Sequence, residues 1–235
     1  MSALPPNTDS EADTDAVDAV MGRAFASSID AKALDRIQVG TMHTVYRNVP
    51  FFKSPFDIAL YLQLLSRQGP RTVIEIGTKF GGSALWFADM LVAHGVADAR
   101  VLSVDIEPLA AFTDPRITFL QGDAKRLDAV LPAALLRQCA RPWLVIEDSS
   151  HHYPESSAVL DYFHAHLQPG DYIVVEDGVV SQLSGAHYRQ YQDGPNRAVA
   201  DFLARHGDAY EIDAALCDQY GHNATYNPNG WLRRR

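Results

Sequence analysis

Apolar residues in the central part of the chain fall into short continuous runs separated by segments with helical spacing. Each run is four to six residues long and ends near glycine or an acidic residue, a pattern typical of buried strands. The predicted strands are Arg71–Ile76, Arg100–Asp105, Ile117–Leu120, Trp143–Glu147 and Tyr172–Glu176. Helical segments are predicted at Ser83–His94, Asp128–Gln138 and Pro154–Leu167. Because parallel strands need crossover helices, we predict an α/β fold with a doubly wound, mostly parallel sheet.

The residues before the first of these strands follow a different pattern. Residues 1–15 are polar and acidic, which predicts a leader without fixed structure, and a helix is predicted at Asp15–Ile29. A second helix is predicted to begin where Ser54 can cap it and Pro55 suits its first turn. The predicted parts are a leader over 1–15, an N-terminal helical arm over 16–70 and the α/β core over 71–235.

The C-terminal part continues the same architecture. A loop is predicted at Gly178–Gly194 and a helix at Pro195–His206. Alternating polar and apolar residues predict terminal strands near Ala209–Ile212 and Asn223–Leu232.

Composition and charge exclude several classes of protein. Among 235 residues, 47% are hydrophobic, so a full core can form. A net charge of −9 repels nucleic acid. We see neither an apolar run of about 18 residues, as a membrane span needs, nor a secretory signal, and therefore expect a cytoplasmic protein. Cys139 and Cys217 are expected to be reduced thiols, because their spacing fits no zinc site.

The first predicted strand leads into a glycine-rich turn, Gly77–Gly82. Such turns let the backbone approach a nucleotide-like ligand. The spacing differs from the dinucleotide motif G-x-G-x-x-G, because Lys79 stands where a glycine is needed. Glu75, two residues before the turn, would repel a pyrophosphate but suits a cationic amine. By itself the turn is also compatible with a simple tight connection.

Acidic residues follow the next two predicted strands. Asp105 ends the second strand, where an acid commonly binds ribose hydroxyl groups. Asp123 follows the third strand, beside the expected position of an adenine. Together with Glu75, these residues favour a nucleoside with an amino-acid tail over a dinucleotide.

The fourth and fifth predicted strands end in acidic pairs, Glu147–Asp148 and Glu176–Asp177. Ends of adjacent parallel strands lie about 4.8 Å apart, so Asp148, Glu176 and Asp177 can converge. Three such carboxylates repel one another unless a cation joins them, and oxygen ligands suit Mg²⁺, with Mn²⁺ or Ca²⁺ as alternatives. The competing interpretation is that these carboxylates separately cap the helices that follow.

Four motifs together carry a family resemblance. They are E-I-G-T-x-x-G-G-S, D-S-S-H, Y-I-V-V-E-D-G and the ending Y-N-P-N-G-W-L. With these motifs, the chain from Lys53 onward resembles the cephalosporin hydroxylase or rhamnosyl O-methyltransferase family of class I S-adenosylmethionine-dependent methyltransferases. The resemblance implies a Rossmann-like core and metal-dependent methyl transfer to a hydroxyl of a small molecule, such as a sugar or another antibiotic-type natural product.

The resemblance also assigns roles to individual positions. Residues expected around the methionine part of the cofactor are Glu75, Gly77, Thr78 and Ser83. Asp105 matches the ribose-binding acid and Asp123 lies near the adenine. The metal triad is Asp148, Glu176 and Asp177. Enzymes similar to catechol O-methyltransferase carry Asp-Asn on the fifth strand, so the Glu-Asp pair here predicts a more anionic site.

A general base is expected three residues after Asp148. Catechol-type enzymes carry a lysine there, whereas this chain has His151, as macrolide-sugar methyltransferases similar to it do. Free histidine has a pKa of about 6.5 and can remove a hydroxyl proton at neutral pH. His152 is the rival, although consecutive side chains are expected to point in different directions.

The sequence does not single out individual residues that bind the methyl acceptor. The candidate segments are His43–Phe52, with Tyr46 and Arg47, and the loop Val179–Pro195, with His187, Tyr188 and Tyr191. Alternatives for the whole protein are an NAD-dependent oxidoreductase, a non-haem iron hydroxylase and a non-catalytic cofactor-binding partner. We also expect a homo-oligomer, because the helical arm needs an apolar surface to cover.

Overall fold

The computed structural model describes residues 22–235. Its helices are α1 Ala31–Thr41, α2 Pro55–Gln68, α3 Gly82–Ala93, α4 Leu127–Val130, α5 Ala133–Leu136, α6 Tyr153–His164, α7 Gly194–His206 and α8 Ala214–Cys217. Its strands are β1 Val45–Tyr46, β2 Val49–Pro50, β3 Thr72–Ile76, β4 Arg100–Asp105, β5 Ile117–Gln121, β6 Trp143–Glu147, β7 Tyr172–Val175, β8 Tyr210–Ile212 and β9 Trp231–Arg234. Short 3₁₀ helices occupy Ala124–Arg126, Gly178–Gln182 and Ala186–Gln190.

Seven strands form one sheet in the order β5-β4-β3-β6-β7-β9-β8. The pairs from β5 to β7 are parallel, whereas β9 is antiparallel to both β7 and β8. The predicted mostly parallel, doubly wound sheet is therefore confirmed. The order reverses between β3 and β6, which is where ligands bind in open sheets of this kind.

Helices cover both faces of the sheet. Alternate strand residues point to opposite faces, so Val73 packs with α2 and α3, whereas Ile74 packs with α4 to α7. Helix α2 buries Leu60, Tyr61 and Leu64 in the same cluster as Val73. The sheet is thus buried between two apolar layers, and its carboxyl edge remains open.

The start of helix α2 is as predicted. The Ser54 hydroxyl oxygen accepts a hydrogen bond of 3.2 Å from the Asp57 backbone amide, and Pro55 is the first helical residue. Asp57 is itself buried, and its carboxylate accepts a hydrogen bond from the Tyr226 backbone amide. The cap therefore ties α2 to the C-terminal segment of the chain.

Several predicted elements differ from those observed. The leader and residues 15–21 of the helix predicted at Asp15–Ile29 lie outside the described residues, and the remaining part, 22–29, is not helical. The helix predicted at Asp128–Gln138 is divided into α4 and α5 because Pro132 cannot donate a backbone hydrogen bond. The strand predicted at Asn223–Leu232 starts only at Trp231, since the preceding Asn, Pro and Gly residues form a buried irregular segment.

Two elements before α2 were not predicted. Helix α1 buries Leu34 against Val179, Leu183 and Tyr226, next to the open edge of the sheet. The strands β1 and β2 form a small hairpin. None of the helices in residues 22–235 combines the length and the apolar character that crossing a bilayer requires.

Candidate active site

A cleft of about 660 Å³ opens at the carboxyl edge of the sheet. In the register of β3 and β6, Ile76 lies opposite Glu147, so the turns that begin at Gly77 and Asp148 are neighbours. Gly77 and Asp148 line the cleft, together with Asp105 at the end of β4 and Asp177 after β7. The cleft thus lies where the strand order reverses, as the sheet topology predicts.

Gly77 allows the two turns to touch. Its φ of +115° suits glycine, and a Cβ atom there would lie 1.9 Å from the carbonyl oxygen of Asp148. From the sequence, this glycine was expected to permit the approach of a ligand. In the structure, the missing side chain makes room for the backbone of the acidic turn, so Gly77 sets the position of Asp148.

Glu75 lies under the glycine turn and is fully buried. Its Oε2 atom accepts a hydrogen bond of 2.6 Å from Ser103, whose hydroxyl lies 2.7 Å from that of Thr78. The other oxygen, Oε1, makes no hydrogen bond of good geometry within the described part of the chain, although the Ser83 hydroxyl lies close enough to the carboxyl group to lower its pKa. Burial raises the pKa of Glu75 to about 7, although the charge of Lys53 opposes this shift. Glu75 is not itself among the residues that line the cleft, but its neighbours Thr78 and Ser83 are.

The structure separates the roles of Asp105 and Asp123. Asp105 lines the cleft, and its carboxylate accepts hydrogen bonds from the backbone amides of Lys79 (2.7 Å) and Glu107 (3.0 Å). These bonds fix the carboxylate at the rim of the glycine turn. Asp123 instead caps the 3₁₀ helix after β5 by accepting from the amide of Lys125 at 2.8 Å. It is not among the residues that line the cleft.

Three side chains meet at the floor of the cleft. Asp148, His151 and Asp177 each offer one possible ligand atom, and these atoms lie within 4.8 Å of one another. Nε2 of His151 lies 3.6 Å from Oδ2 of Asp177. Burial raises the pKa of the Asp177 carboxyl to about 6, and the nearby His151 opposes this shift. The group is partly exposed, so it can receive a cation or a polar substrate group.

Both His151 and Asp177 adopt a left-handed backbone conformation, with φ of +59° and +58°. Such a conformation is costly for residues other than glycine and persists only where neighbours hold it. The Asp177 backbone amide donates a hydrogen bond of 3.1 Å to Oδ1 of Asn227, in the Y-N-P-N-G segment. That C-terminal motif therefore supports the acidic group from behind.

Glu176 is placed differently from the other predicted metal ligands. It is buried, and its carboxylate accepts hydrogen bonds from the Tyr61 hydroxyl and, at 2.5 Å, from the Lys53 ammonium group. The structure brings Asp148 and Asp177 together but does not include Glu176 among the close ligand atoms. Glu176 remains connected to Asp148 through Lys53, which also donates to Asp148 at 2.6 Å.

Lys53 is a site residue that was not identified from the sequence. It lines the cleft, yet its side chain is only 3% exposed. Burial alone would lower its pKa, but the charges of Asp148 and Glu176 raise it well above the usual value. One signal was present in the sequence, namely a lysine inside the apolar stretch V-P-F-F-K-S-P-F.

The two histidines after Asp148 are less distinct than predicted. His152 also lines the cleft, and both imidazole rings contact Tyr191, with ring centroids 5.4 Å (His151) and 5.1 Å (His152) away. His152 therefore does not point away from the cleft as expected. His151 alone of the two belongs to the group with Asp148 and Asp177.

The predicted acceptor segments contribute unequally. The loop after β7 lines the cleft with Val180, His187, Tyr188, Gln190 and Tyr191. From the earlier segment, Pro50 and Phe52 reach the cleft. Tyr46 and Arg47 do not, because both bind Asp89, with distances of 2.9 Å to its Oδ2. Helix α1 adds Gln38 and Thr41.

Comparisons with known proteins agree with this arrangement. A sequence model described as Rhamnosyl O-methyltransferase/CmcI matches residues 38–235. A rhamnosyl O-methyltransferase of Mycobacterium leprae (strain TN) is 31% identical over 202 residues, which cover 82% of this chain and 83% of the relative. A rhamnosyl O-methyltransferase of Mycobacterium bovis (strain BCG / Pasteur 1173P2) is 29% identical over 200 residues, covering 81% of this chain and 78% of the relative.

Solved structures show the same similarity. An apo structure of CmcI has a TM-score of 0.64 at 26% identity and covers 82% of this chain and 76% of that one. A structure of CmcI with SAH has a TM-score of 0.60 at 25% identity and covers 81% of this chain and 82% of that one. With the family match spanning most of the sequence and a relative above 30% identity, the chain belongs to the rhamnosyl O-methyltransferase/CmcI family.

Proposed function

We propose that this protein transfers a methyl group from S-adenosylmethionine to a hydroxyl group of a sugar-containing small molecule, with the help of Mg²⁺. The observation that carries the proposal is the cleft itself, where the glycine turn and the group of Asp148, His151 and Asp177 adjoin. A methyl donor and a hydroxyl acceptor have to meet in such a place. The names of the relatives, rhamnosyl O-methyltransferases, support the sugar as acceptor.

The residues around the glycine turn suit S-adenosylmethionine. Its amino-acid tail carries an ammonium group, and we propose the buried carboxyl group of Glu75, beside the cleft-lining Thr78 and Ser83, as the acidic partner of that group. Asp105 offers a fixed carboxylate to the ribose hydroxyls. We retain Thr78 and Ser83 as binding residues because both line the same part of the cleft. Asp123 has the weakest support, since it caps a 3₁₀ helix instead.

The acidic group suits a hard divalent cation. Asp148 and Asp177 provide oxygen ligands at close range, and His151 provides a nitrogen beside them. Oxygen ligands favour Mg²⁺, with Mn²⁺ or Ca²⁺ as the alternatives. We propose Glu176 as the third carboxylate, which would then share its charge between the metal and Lys53. Bound Mg²⁺ would act as a Lewis acid that makes the acceptor hydroxyl easier to deprotonate.

The chain's own residues would orient the acceptor and accept its proton. Methyl transfer from a sulfonium is an in-line displacement, so the acceptor oxygen must be held facing the methyl group. The His151 ring, placed by Asp177 on one side and Tyr191 on the other, is the proposed base. Tyr188 and His187 on the loop after β7 can bind sugar hydroxyls at the cleft wall.

The alternatives considered from the sequence have less support. An NAD-dependent oxidoreductase lacks its glycine motif, because Lys79 replaces the middle glycine. A non-haem iron hydroxylase requires two histidines and one carboxylate, whereas the close group contains two carboxylates and one histidine. A homo-oligomer and a cytoplasmic location stay predictions.

Calorimetry with the purified protein tests the cofactor assignment. We expect S-adenosylmethionine and its demethylated product to bind at micromolar or lower concentration, and NADH to give no heat of binding. Binding of NADH together with no binding of S-adenosylmethionine would contradict the proposal. A titration of Mg²⁺ into protein freed of metal by a chelator tests the metal separately.

A further inference from the structure

Lys53 places a positive charge in the acidic site itself. Its Nζ atom lies 2.6 Å from Oδ2 of Asp148 and 2.5 Å from Oε2 of Glu176, so one ammonium group joins the ends of β6 and β7. The sequence contains four lysines. Lys53 is buried, whereas the other three, Lys32, Lys79 and Lys125, are exposed. A buried lysine that faces a cleft is costly unless carboxylates pair with it.

The surroundings hold Lys53 in this position. Lys53 comes two residues after the buried Phe51 and directly before Ser54, the residue that caps α2. Its partner Glu176 is held from the other side by the hydroxyl of Tyr61, which is fully buried in the core. Neither the Lys53 ammonium group nor the Glu176 carboxylate can move far into solvent. The ammonium group therefore stays close to any cation that binds Asp148.

We propose that Lys53 is a resident counter-cation of the site, which shares Asp148 and Glu176 with the divalent ion and thereby sets that ion's affinity. This inference rests on the metal site of the proposed function. Before the ion binds, the ammonium group offsets the repulsion among the carboxylates and keeps Asp148 and Glu176 in place. When the ion binds, Lys53 and the ion compete for these carboxylates, which keeps the affinity moderate and the ion exchangeable.

The electrostatic consequence has a definite sign. A unit positive charge within a few ångströms of a divalent cation repels it, and the effect is large at a partly buried site. Removing the charge should therefore tighten metal binding. If Lys53 served only to orient the two carboxylates, removing it would loosen metal binding instead.

Metal titration of neutral variants separates these outcomes. We expect Lys53→Met and Lys53→Gln to bind Mg²⁺ and Mn²⁺ at least tenfold more tightly than the wild type by calorimetry. Lys53→Arg keeps the positive charge, so its metal affinity should stay closer to that of wild type than the affinity of either neutral variant does. Lys79→Met is the matched control, because Lys79 lines the same cleft but faces the Phe52 ring at 5.1 Å. Weaker or unchanged metal binding in the neutral variants would overturn the inference.

Thermal unfolding provides a second measurement if the variants are less stable. In chelator, the neutral variants should melt below wild type, because the carboxylates have lost their counter-charge. Saturating Mg²⁺ should restore most of that loss and so raise the Tm of the variants more than that of wild type. An equal loss of Tm with and without Mg²⁺ would mean that Lys53 acts only in folding, against the proposal.

The wild-type protein allows a third measurement. In protein labelled with ¹⁵N at lysine only, the buried Lys53 ammonium group should give a signal protected from solvent exchange, while the exposed lysines exchange rapidly. Mg²⁺ should shift this signal. A signal that does not move while calorimetry records Mg²⁺ binding would overturn the role of Lys53 and leave the metal site intact. If calorimetry detects no divalent ion on wild type, the proposed metal site itself is wrong.

Discussion

The Nε2 atom of His151 lies 3.6 Å from Oδ2 of Asp177, across the floor of the cleft. This relationship joins the turn after β6 to the turn after β7, and both residues have left-handed backbone conformations. Strain of this kind is commonly stored at functional sites. The pair is therefore the part of the cleft where we expect the proton of the acceptor to be handled.

Replacing His151 by alanine should lower kcat and kcat/KM together, by about 10²- to 10⁴-fold, which is the typical effect of losing a positioned base. S-adenosylmethionine binding should remain unchanged, because His151 lies on the acceptor side. His152→Ala is the control and should lower kcat and kcat/KM much less. If His151→Ala instead abolishes metal binding, the histidine is a metal ligand and not the base.

Asp105→Ala should weaken S-adenosylmethionine binding at least tenfold by calorimetry, since Asp105 is the carboxylate fixed at the rim of the glycine turn. Asp123→Ala is a suitable comparison, because Asp123 caps a 3₁₀ helix and does not line the cleft. Its effect on affinity should be small. Equal losses in both variants would argue against the ribose assignment.

The stability of the protein should depend on the ionisation of Glu75. Burial raises its pKa from 4.5 to about 7, so the folded state holds this proton more tightly than the unfolded state. The stabilisation is complete below pH 4.5 and is lost as the pH rises to about 7. The pKa difference between the folded and unfolded states corresponds to about 3 kcal/mol in the free energy of unfolding.

Chemical denaturation of wild type and Glu75→Gln across this pH range measures the effect. The free energy of unfolding of wild type should fall relative to that of the variant as the pH rises. Other buried acids, such as Glu147, whose pKa burial also raises to about 7, affect both proteins alike. A constant difference between the two proteins would show that folding does not raise the pKa of Glu75.

Gly77→Ala should destabilise the protein and disturb the metal site together. The new Cβ would lie 1.9 Å from the Asp148 carbonyl oxygen, so the acidic turn would have to move. Gly95→Ala is the matched control, because Gly95 also has a positive φ (+84°), but a Cβ atom added there would meet no other atom within 4 Å. The free energy of unfolding of the control should fall by about 1 kcal/mol, because alanine is less favourable than glycine at a positive φ. Gly77→Ala should lose more of its free energy of unfolding than the control and should bind Mg²⁺ more weakly. Equal losses of stability in the two variants would contradict the close contact between Gly77 and the Asp148 carbonyl oxygen.

Much of the sheet could be predicted because its strands are short, apolar and buried on both faces. Arg100–Asp105 and Trp143–Glu147 have the predicted bounds. Helix α1 is amphipathic but was not identified from the sequence, and its only buried residues are Leu34 and Thr41. The C-terminal segment Y-N-P-N-G was mistaken for a strand, although its polar side chains are buried for hydrogen bonding.

The site could be predicted where an acidic residue stands at the end of a strand or within two residues after it, as for Asp105, Asp148 and Asp177. It could not be predicted where a distant residue decides the geometry. Glu176 follows the same strand as Asp177, but its side chain turns to Tyr61 and Lys53, two partners far away in the sequence. Periodicity and local spacing contain no information about such contacts.

Metal-dependent methyl transfer to a sugar hydroxyl can be observed directly as a change in the mass of the acceptor. The protein is incubated with S-adenosylmethionine carrying a deuterated methyl group, Mg²⁺ and a panel of rhamnosyl and related glycosides, and the acceptors are then analysed by mass spectrometry. We predict that one glycoside gains a single deuterated methyl group on oxygen, and that the product disappears in chelator and returns when Mg²⁺ is restored. Undiminished transfer in chelator, or no labelled glycoside despite confirmed cofactor binding, would contradict the proposed function.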